Sequence, residues 1–314
     1  ATYISSGKTD ESNQTNNHTM VTHFILDGFQ GQLELQLSLS FLFMLFYTVT
    51  LMGNIGMITI ITTDAQLHTP MYFFLKNLSF LDICYSSVIT PKAMLSFATG
   101  KKTISYPGCA TQMFFFSLFG TTECFFLAVM AYDRFMAICS PLLYRTTMSR
   151  KTCTHLVAGS YVFGFLNCCT QTGLTFSLSY CKPAEINQFF CDVPAVMKAS
   201  CSDTSINEIV LLGMCGFIII VTFTTVLISY GYIVATILRI PSVEGRQKAF
   251  STCTSHIMAV SLFFGSAFFM YGQPGAISSP NQGKVVSIFY TIVIPMLNPL
   301  IYSLRNKETV AILL

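Results

Sequence analysis

The hydrophobic positions of this chain run in long blocks separated by short polar stretches. Leu37–Thr62, Ile209–Leu238 and Val285–Tyr302 contain no charged residue. Cys153–Phe176 and Ala249–Tyr271 carry one histidine each, His155 and His256. Met71–Phe97 holds Lys76, Asp82 and Lys92, and Gly108–Cys139 holds Glu123, Asp133 and Arg134. Each block reaches the roughly 17 residues that a helix needs to cross hydrocarbon. A chain inside a bilayer must close its own backbone hydrogen bonds, so the pattern predicts an all-α membrane protein with seven spans. The expected partition is an outer tail over 1–36, one seven-helix domain over 37–303 and a short inner amphipathic helix over 304–314. No linker, low-complexity block or internal repeat interrupts it.

Composition agrees. The 314 residues are 52% hydrophobic and 10% charged, far below the charged quarter of a soluble domain. Basic residues set the orientation. With Arg134 on the cytoplasmic side, ten Lys and Arg lie near that face and seven near the other, the bias the positive-inside rule requires. The N-terminus is then extracellular. Residues 1–36 show no apolar signal-peptide core, so the first helix is expected to direct its own insertion. Asn13 and Asn17 head two glycosylation sequons in that outer tail. Asn77 heads a third, in the second span near the cytoplasm, where it stays unmodified.

No metalloprotease, nucleophile-elbow, phosphate-loop or dinucleotide motif is present, so no enzyme activity is expected. Two mid-membrane carboxylates without repeat symmetry make a poor transporter. Of the 12 cysteines, Cys109, Cys181, Cys191 and Cys201 fall on the oxidising side. Four cysteines allow three pairings. Within the spans, Asn54, Asp82, Glu123 and Asn298 are polar residues at costly depth. Asp82 and Glu123 on neighbouring helices make either a cation site or a pair sharing a proton; sodium enters as the cation only through the family resemblance given below. His256 is either a packed polar residue or a switch contact.

The most specific stretch is Met130-Ala131-Tyr132-Asp133-Arg134-Phe135-Met136-Ala137-Ile138-Cys139. It lies about 37 Å of helix from Cys109 by the usual rise per residue. Other stretches join it in order: Leu67 to Leu75 (LHTPMYFFL), Ser229-Tyr230, Lys248 to His256 (KAFSTCTSH) and Pro295 to Asn306 (PMLNPLIYSLRN). With Asn17 to Leu26 (NHTMVTHFIL) at the entry, the set resembles odorant receptors of the rhodopsin-like G-protein-coupled receptors, from about Asn17 to Lys307. Thr69 matches the tetrapod-type (class II) branch. The chain departs from the usual pattern at Phe135-Met136, Leu143 and Phe264, and at Gln188, which stands where a metal-binding loop motif has histidine.

The resemblance implies the pairings Cys109–Cys191 and Cys181–Cys201. It implies an odorant cavity lined by Met113, Phe116, Ser117, Gly120, Thr121 and Cys124 from the third helix, which recur at helical spacing. Met214 and Ile218 would join from the fifth, Phe264, Phe268 and Tyr271 from the sixth, and Ile288 and Thr291 from the seventh. Phe116 stands where amine receptors have aspartate, and Tyr271 to Gly275 holds no arginine for a carboxylate. The expected ligand is a small, neutral, hydrophobic volatile, with or without one hydrogen-bonding oxygen. Asp133, Arg134, Tyr230, His256, Asn298, Pro299 and Tyr302 would carry activation. The implied partner is the stimulatory olfactory G protein, raising cyclic AMP, at the plasma membrane of sensory cilia. A non-olfactory chemosensory receptor is the alternative.

Overall fold

The computed structural model describes residues 21–29, 31–271 and 280–303. Within them the chain forms a helical bundle. The first span is α1 (Leu33–Thr63), starting a turn before the charge-free block. Next is α2 (Pro70–Thr99), with proline in its first turn, where the missing N–H costs nothing. Gly100 ends it at a φ of 68°, the left-handed cap that glycine adopts without penalty. The third span, α3 (Tyr106–Cys139), is capped by Ser105, whose hydroxyl accepts from the Gly108 N–H at 3.2 Å. A short inner helix, α4 (Pro141–Thr147), leads to α5 (Arg150–Phe176), capped in the same way by Ser149. The outer loop holds α6 (Val193–Lys198). The fifth and sixth spans are α7 (Ser205–Leu238) and α8 (Val243–Tyr271). The seventh runs as α9 (Pro280–Ile288), a wide turn at Phe289–Val293 and α10 (Ile294–Ser303).

By length and hydropathy alone, five described helices can cross a membrane: α1, α3, α7, α8 and the seventh span from Gly283. Helices α2 and α5 have the length but are more polar. Their polar residues turn inward, where Asp82, Ser86 and Thr90 of α2 and Asn167, Gln171 and Thr175 of α5 are buried. Their outer faces carry exposed Phe80 and Leu95, and exposed Val162, Phe163, Phe165 and Leu166. Exposed leucines, isoleucines and phenylalanines likewise cover the outsides of α1 and α7, as a surface bathed in lipid requires.

The interior is stitched by the few polar groups placed there. Asn54 donates to the Thr50 carbonyl at 2.9 Å and across to the Pro295 carbonyl at 3.0 Å, joining α1 to α10. Asn298 donates to both carboxylate oxygens of Asp82, at 3.2 and 3.0 Å, joining α10 to α2. Around these lies one large apolar core that includes Phe74, Leu78, Tyr85, Phe126 and Met130.

The outer face carries an element that the all-helical reading does not contain. Strand β1 (His23–Leu26) sits between β2 (Thr103–Ser105) and β3 (Glu185–Ile186), antiparallel to the first and parallel to the second. Phe24 plugs the layer beneath, fully buried against the rings of Tyr106, Phe176 and Tyr180. Part of the expected outer tail is thus woven into the roof. Asn13, Asn17 and the segment 304–314 lie outside the described residues.

Helices α3 and α5 approach most closely at Gly164. A Cβ there would meet Thr122 Oγ1 at 2.5 Å and the Leu118 carbonyl oxygen at 2.9 Å. Gly164→Ala must push the helices apart. The expected loss is about 1–3 kcal/mol, the usual cost of overpacking, and it would be read as a lower thermal midpoint of the detergent-solubilised chain.

Candidate ligand cavity and inner polar site

A cavity opens among α2, α3, α5, α7, α8 and the seventh span, under the loop that carries α6. The room open to the centre of a water-sized sphere is about 120 Å³, well above the roughly 10–15 Å³ needed by one water. Tyr85, Phe116, Ser117, Gly120, Thr121 and Cys124 line one side, with Tyr290 from the turn of the seventh span. Leu211, Cys215, Ile218 and Ile219 come from α7, and Phe263, Ser266 and Ala267 from α8. Asn167 and Gln171 face it from α5, and Asp192, Val193 and Pro194 close the top.

The roof is held from below. Cys191 is joined to Cys109 at the top of α3, with Cα atoms 5.5 Å apart, and Cys181 to Cys201 within the loop. Beside the first bond, Gln112 accepts from the Cys191 N–H at 2.9 Å and donates to the Val88 carbonyl at 3.1 Å. One side chain of α3 thereby ties the loop to α2. Gln188, also buried, donates to Ser287 of α9 at 2.9 Å.

Of the residues expected to line the cavity, Phe116, Ser117, Gly120, Thr121, Cys124 and Ile218 do so. Met113 lies higher, buried with Cys109 and Cys191 in the outer apolar cluster. On α8 the lining falls on Phe263 and Ala267, one position before Phe264 and Phe268. Phe264 packs against Phe223 and Phe263, and Phe268 is 64% exposed. On α7 the lining residue is Cys215 rather than Met214. Ile288 packs against the core, and Thr291 is buried and donates to the Ser287 carbonyl at 2.7 Å. The side chain of Tyr271 lies outside the described residues. The sequence reading omitted Asn167, Gln171 and Asp192. Two amides four residues apart in an apolar span were the available signal for the first two; nothing local marks Asp192.

Below the cavity lies the inner polar site. Asp82, Glu123 and Asn298 are all buried, and Asn298 bridges the two acids through hydrogen bonds to both. Glu123 Oε2 has no hydrogen-bond partner. Two buried carboxylates with an oxygen to spare suit a small hard cation, which takes oxygen ligands, and equally suit a retained proton. Among the described residues no group of three or more acidic, histidine or cysteine side chains gathers as a metal cage.

At the end of the bundle opposite the roof, Asp133 accepts from the Tyr144 hydroxyl of α4 at 2.9 Å. Burial, and then the Asp133 carboxylate, push that phenol far above its ordinary range, so it stays a donor. Tyr230 and His256 bond at 2.7 Å with their rings stacked, linking α7 to α8. Arg134, almost fully buried, lies within electrostatic reach of Tyr230, His256 and Tyr302. The Tyr302 hydroxyl has no partner, and Pro299 packs against Gly53 of α1. Asp133, Arg134, Tyr230, His256 and Tyr302 therefore gather at the end of the bundle away from the roof, while Asn298 belongs to the inner polar site.

A seven-helix membrane bundle with a roofed apolar cavity, an inner polar site and a buried arginine at the opposite end is the architecture of a rhodopsin-like receptor. A crystal structure of squid rhodopsin superposes on it with a TM-score of 0.66 at 19% identity, covering 90% of this chain and 85% of that one. The olfactory receptor family model matches residues 43–314, and the chain belongs to that family. Olfactory receptor OR9H1 of Homo sapiens is 59% identical over 93% of this chain and 95% of its own length. Olfactory receptor 9S13 of Mus musculus is 60% identical over 91% and 86%. The protein is a multi-pass G-protein-coupled receptor and not an enzyme.

Gln112→Leu keeps the volume at the root of the roof but strands the buried Cys191 N–H and removes the tie to Val88 of α2. The stranded N–H is expected to cost about 1–3 kcal/mol. The thermal midpoint of the solubilised chain should fall, and proteolysis of the outer loop should accelerate.

Proposed function

We propose that this receptor binds a small, neutral, mostly hydrophobic volatile in the roofed cavity and activates the stimulatory olfactory G protein, raising cyclic AMP. The observation that supports it best is the cavity itself, walled by phenylalanine, tyrosine, isoleucine and alanine with a few hydroxyl and amide groups. Such a lining favours apolar ligands and fixes their orientation with few polar contacts. The site of action is the plasma membrane of sensory cilia, with the N-terminus outside.

Activation is a population shift. A ligand that touches α3, α7 and α8 at once stabilises an arrangement in which the inner end of α8 swings outward. The Tyr230–His256 bond, which ties α7 to α8, must rearrange in that motion, freeing Tyr230 and Tyr302 to receive Arg134. In the resting state Asp82, Glu123 and Asn298 hold a sodium ion, for which the unpartnered Glu123 oxygen is the supporting feature.

Cyclic AMP in cells expressing the chain with the olfactory G protein tests this. Neutral odorants should raise it, and Arg134→Ala should abolish the rise at unchanged surface expression. Activation by short carboxylates or by amines in preference to neutral odorants would overturn the ligand class; the amine arm matters because Asp192 lines the roof. Raising sodium should lower basal cyclic AMP in the native chain and leave Glu123→Gln indifferent. Equal indifference in the native chain would remove the ion.

A further inference from the structure

Asn167 and Gln171 lie one helical turn apart on α5 and both line the cavity, each at least 97% buried. Asn167 Nδ2 donates to Thr121 Oγ1 at 2.9 Å. Oδ1 of the same amide has no hydrogen-bond partner, and Gln171 Nε2 has none either. Two residues of the cavity wall, on a single helix face, thus hold one unmet acceptor and one unmet donor, both enclosed by surroundings otherwise rich in aromatic and aliphatic carbon, so a ligand oxygen meets them as the side chains turn toward it. Buried polar atoms are nearly always paired, and each exception calls for an explanation.

We infer that Asn167 and Gln171 form a hydroxyl-recognition pair, so that the preferred ligands are alcohols. This rests on the neutral-ligand reading above and narrows it. Side chains four residues apart on a helix have Cβ atoms about 5–6 Å apart, so the two amides, turned toward the cavity, can converge on a single oxygen. A hydroxyl carries one proton and two lone pairs. It donates to Asn167 Oδ1 and accepts from Gln171 Nε2, meeting both unmet groups together. An aldehyde, ketone, ester or ether accepts from Gln171 but leaves Asn167 Oδ1 buried and unpaired. A hydrocarbon leaves both unpaired. Sites built to bond a hydroxyl discriminate strongly against analogues that lack it, because the protein's own groups are stranded. Thr121 acts here as a positioning residue, since it orients the Asn167 amide and makes no demand on the ligand.

The test is binding of hexanol, hexanal and methyl pentyl ether to the full chain in lipid nanodiscs, read from the concentration dependence of ligand-induced thermal stabilisation. The three probes are nearly matched in size and differ in whether the oxygen can donate. Hexanol should bind about tenfold or more tightly than the other two, the consequence of one stranded buried group. Gln171→Met and Asn167→Leu should each bring the three within about threefold of one another, chiefly by weakening hexanol. Equal binding of the three probes to the native chain, which needs no variant, would overturn the inference and leave the neutral-ligand reading intact. A hexanol preference that survives in both variants would do the same. If none of the three binds, while hexylamine or hexanoate does, both readings fall.

Discussion

The bond between Cys109 and Cys191 decides where the roof of the cavity lies, and much of the outer half of the molecule is arranged by it. It fastens the loop between α5 and α7 to the top of α3. The next three residues, Asp192, Val193 and Pro194, can then only close over the space between the helices. Gln112 reinforces the joint by bonding the loop and α2 together. The sheet adds a second layer, with β1 bonded on both sides. A ligand beneath such a roof is shielded from water on the side the roof covers, which strengthens the polar contacts it makes there.

The bundle below solves the opposite problem. Lipid rewards no helix for meeting another through leucine alone, so polar groups and close packing must select the partners. Asn54 chooses α10, Asn298 chooses α2, and Asn167 chooses α3 through Thr121. These asparagines together pin five spans. The same economy gathers Arg134, Tyr230, His256 and Tyr302 at the end of the bundle opposite the roof.

The spans were legible in the sequence because unbroken apolar blocks have few alternative readings; the two disulfides were legible only through the family resemblance, since compartment alone left three pairings of four cysteines. The phase of individual helices was not. Along α7 nearly every residue is apolar, so nothing marks which stripe faces inward, and Met214 was named where Cys215 lines the cavity. On α8 the shift was again one position, about 100° of rotation, and it turned Phe268 toward the lipid. Helix α3 could be phased because Ser117, Gly120 and Thr121 interrupt its apolar run. Strand β1 was hidden for another reason. A few strand residues have meaning only when their partners, here Ile104 and Ile186 from distant loops, are already in place.

Gly164 gives the cavity a property that no lining residue supplies. With only hydrogen at that position, α5 rests directly on the backbone of α3, and Asn167 and Gln171 follow on the next turns of the same helix. The thickness of one absent methyl group is therefore a ruler. It sets how far the two amides stand from α3 and so the width left between those helices for a bound molecule. Related chains could retune the size of what they detect by altering this spacer while leaving every contact residue as it is.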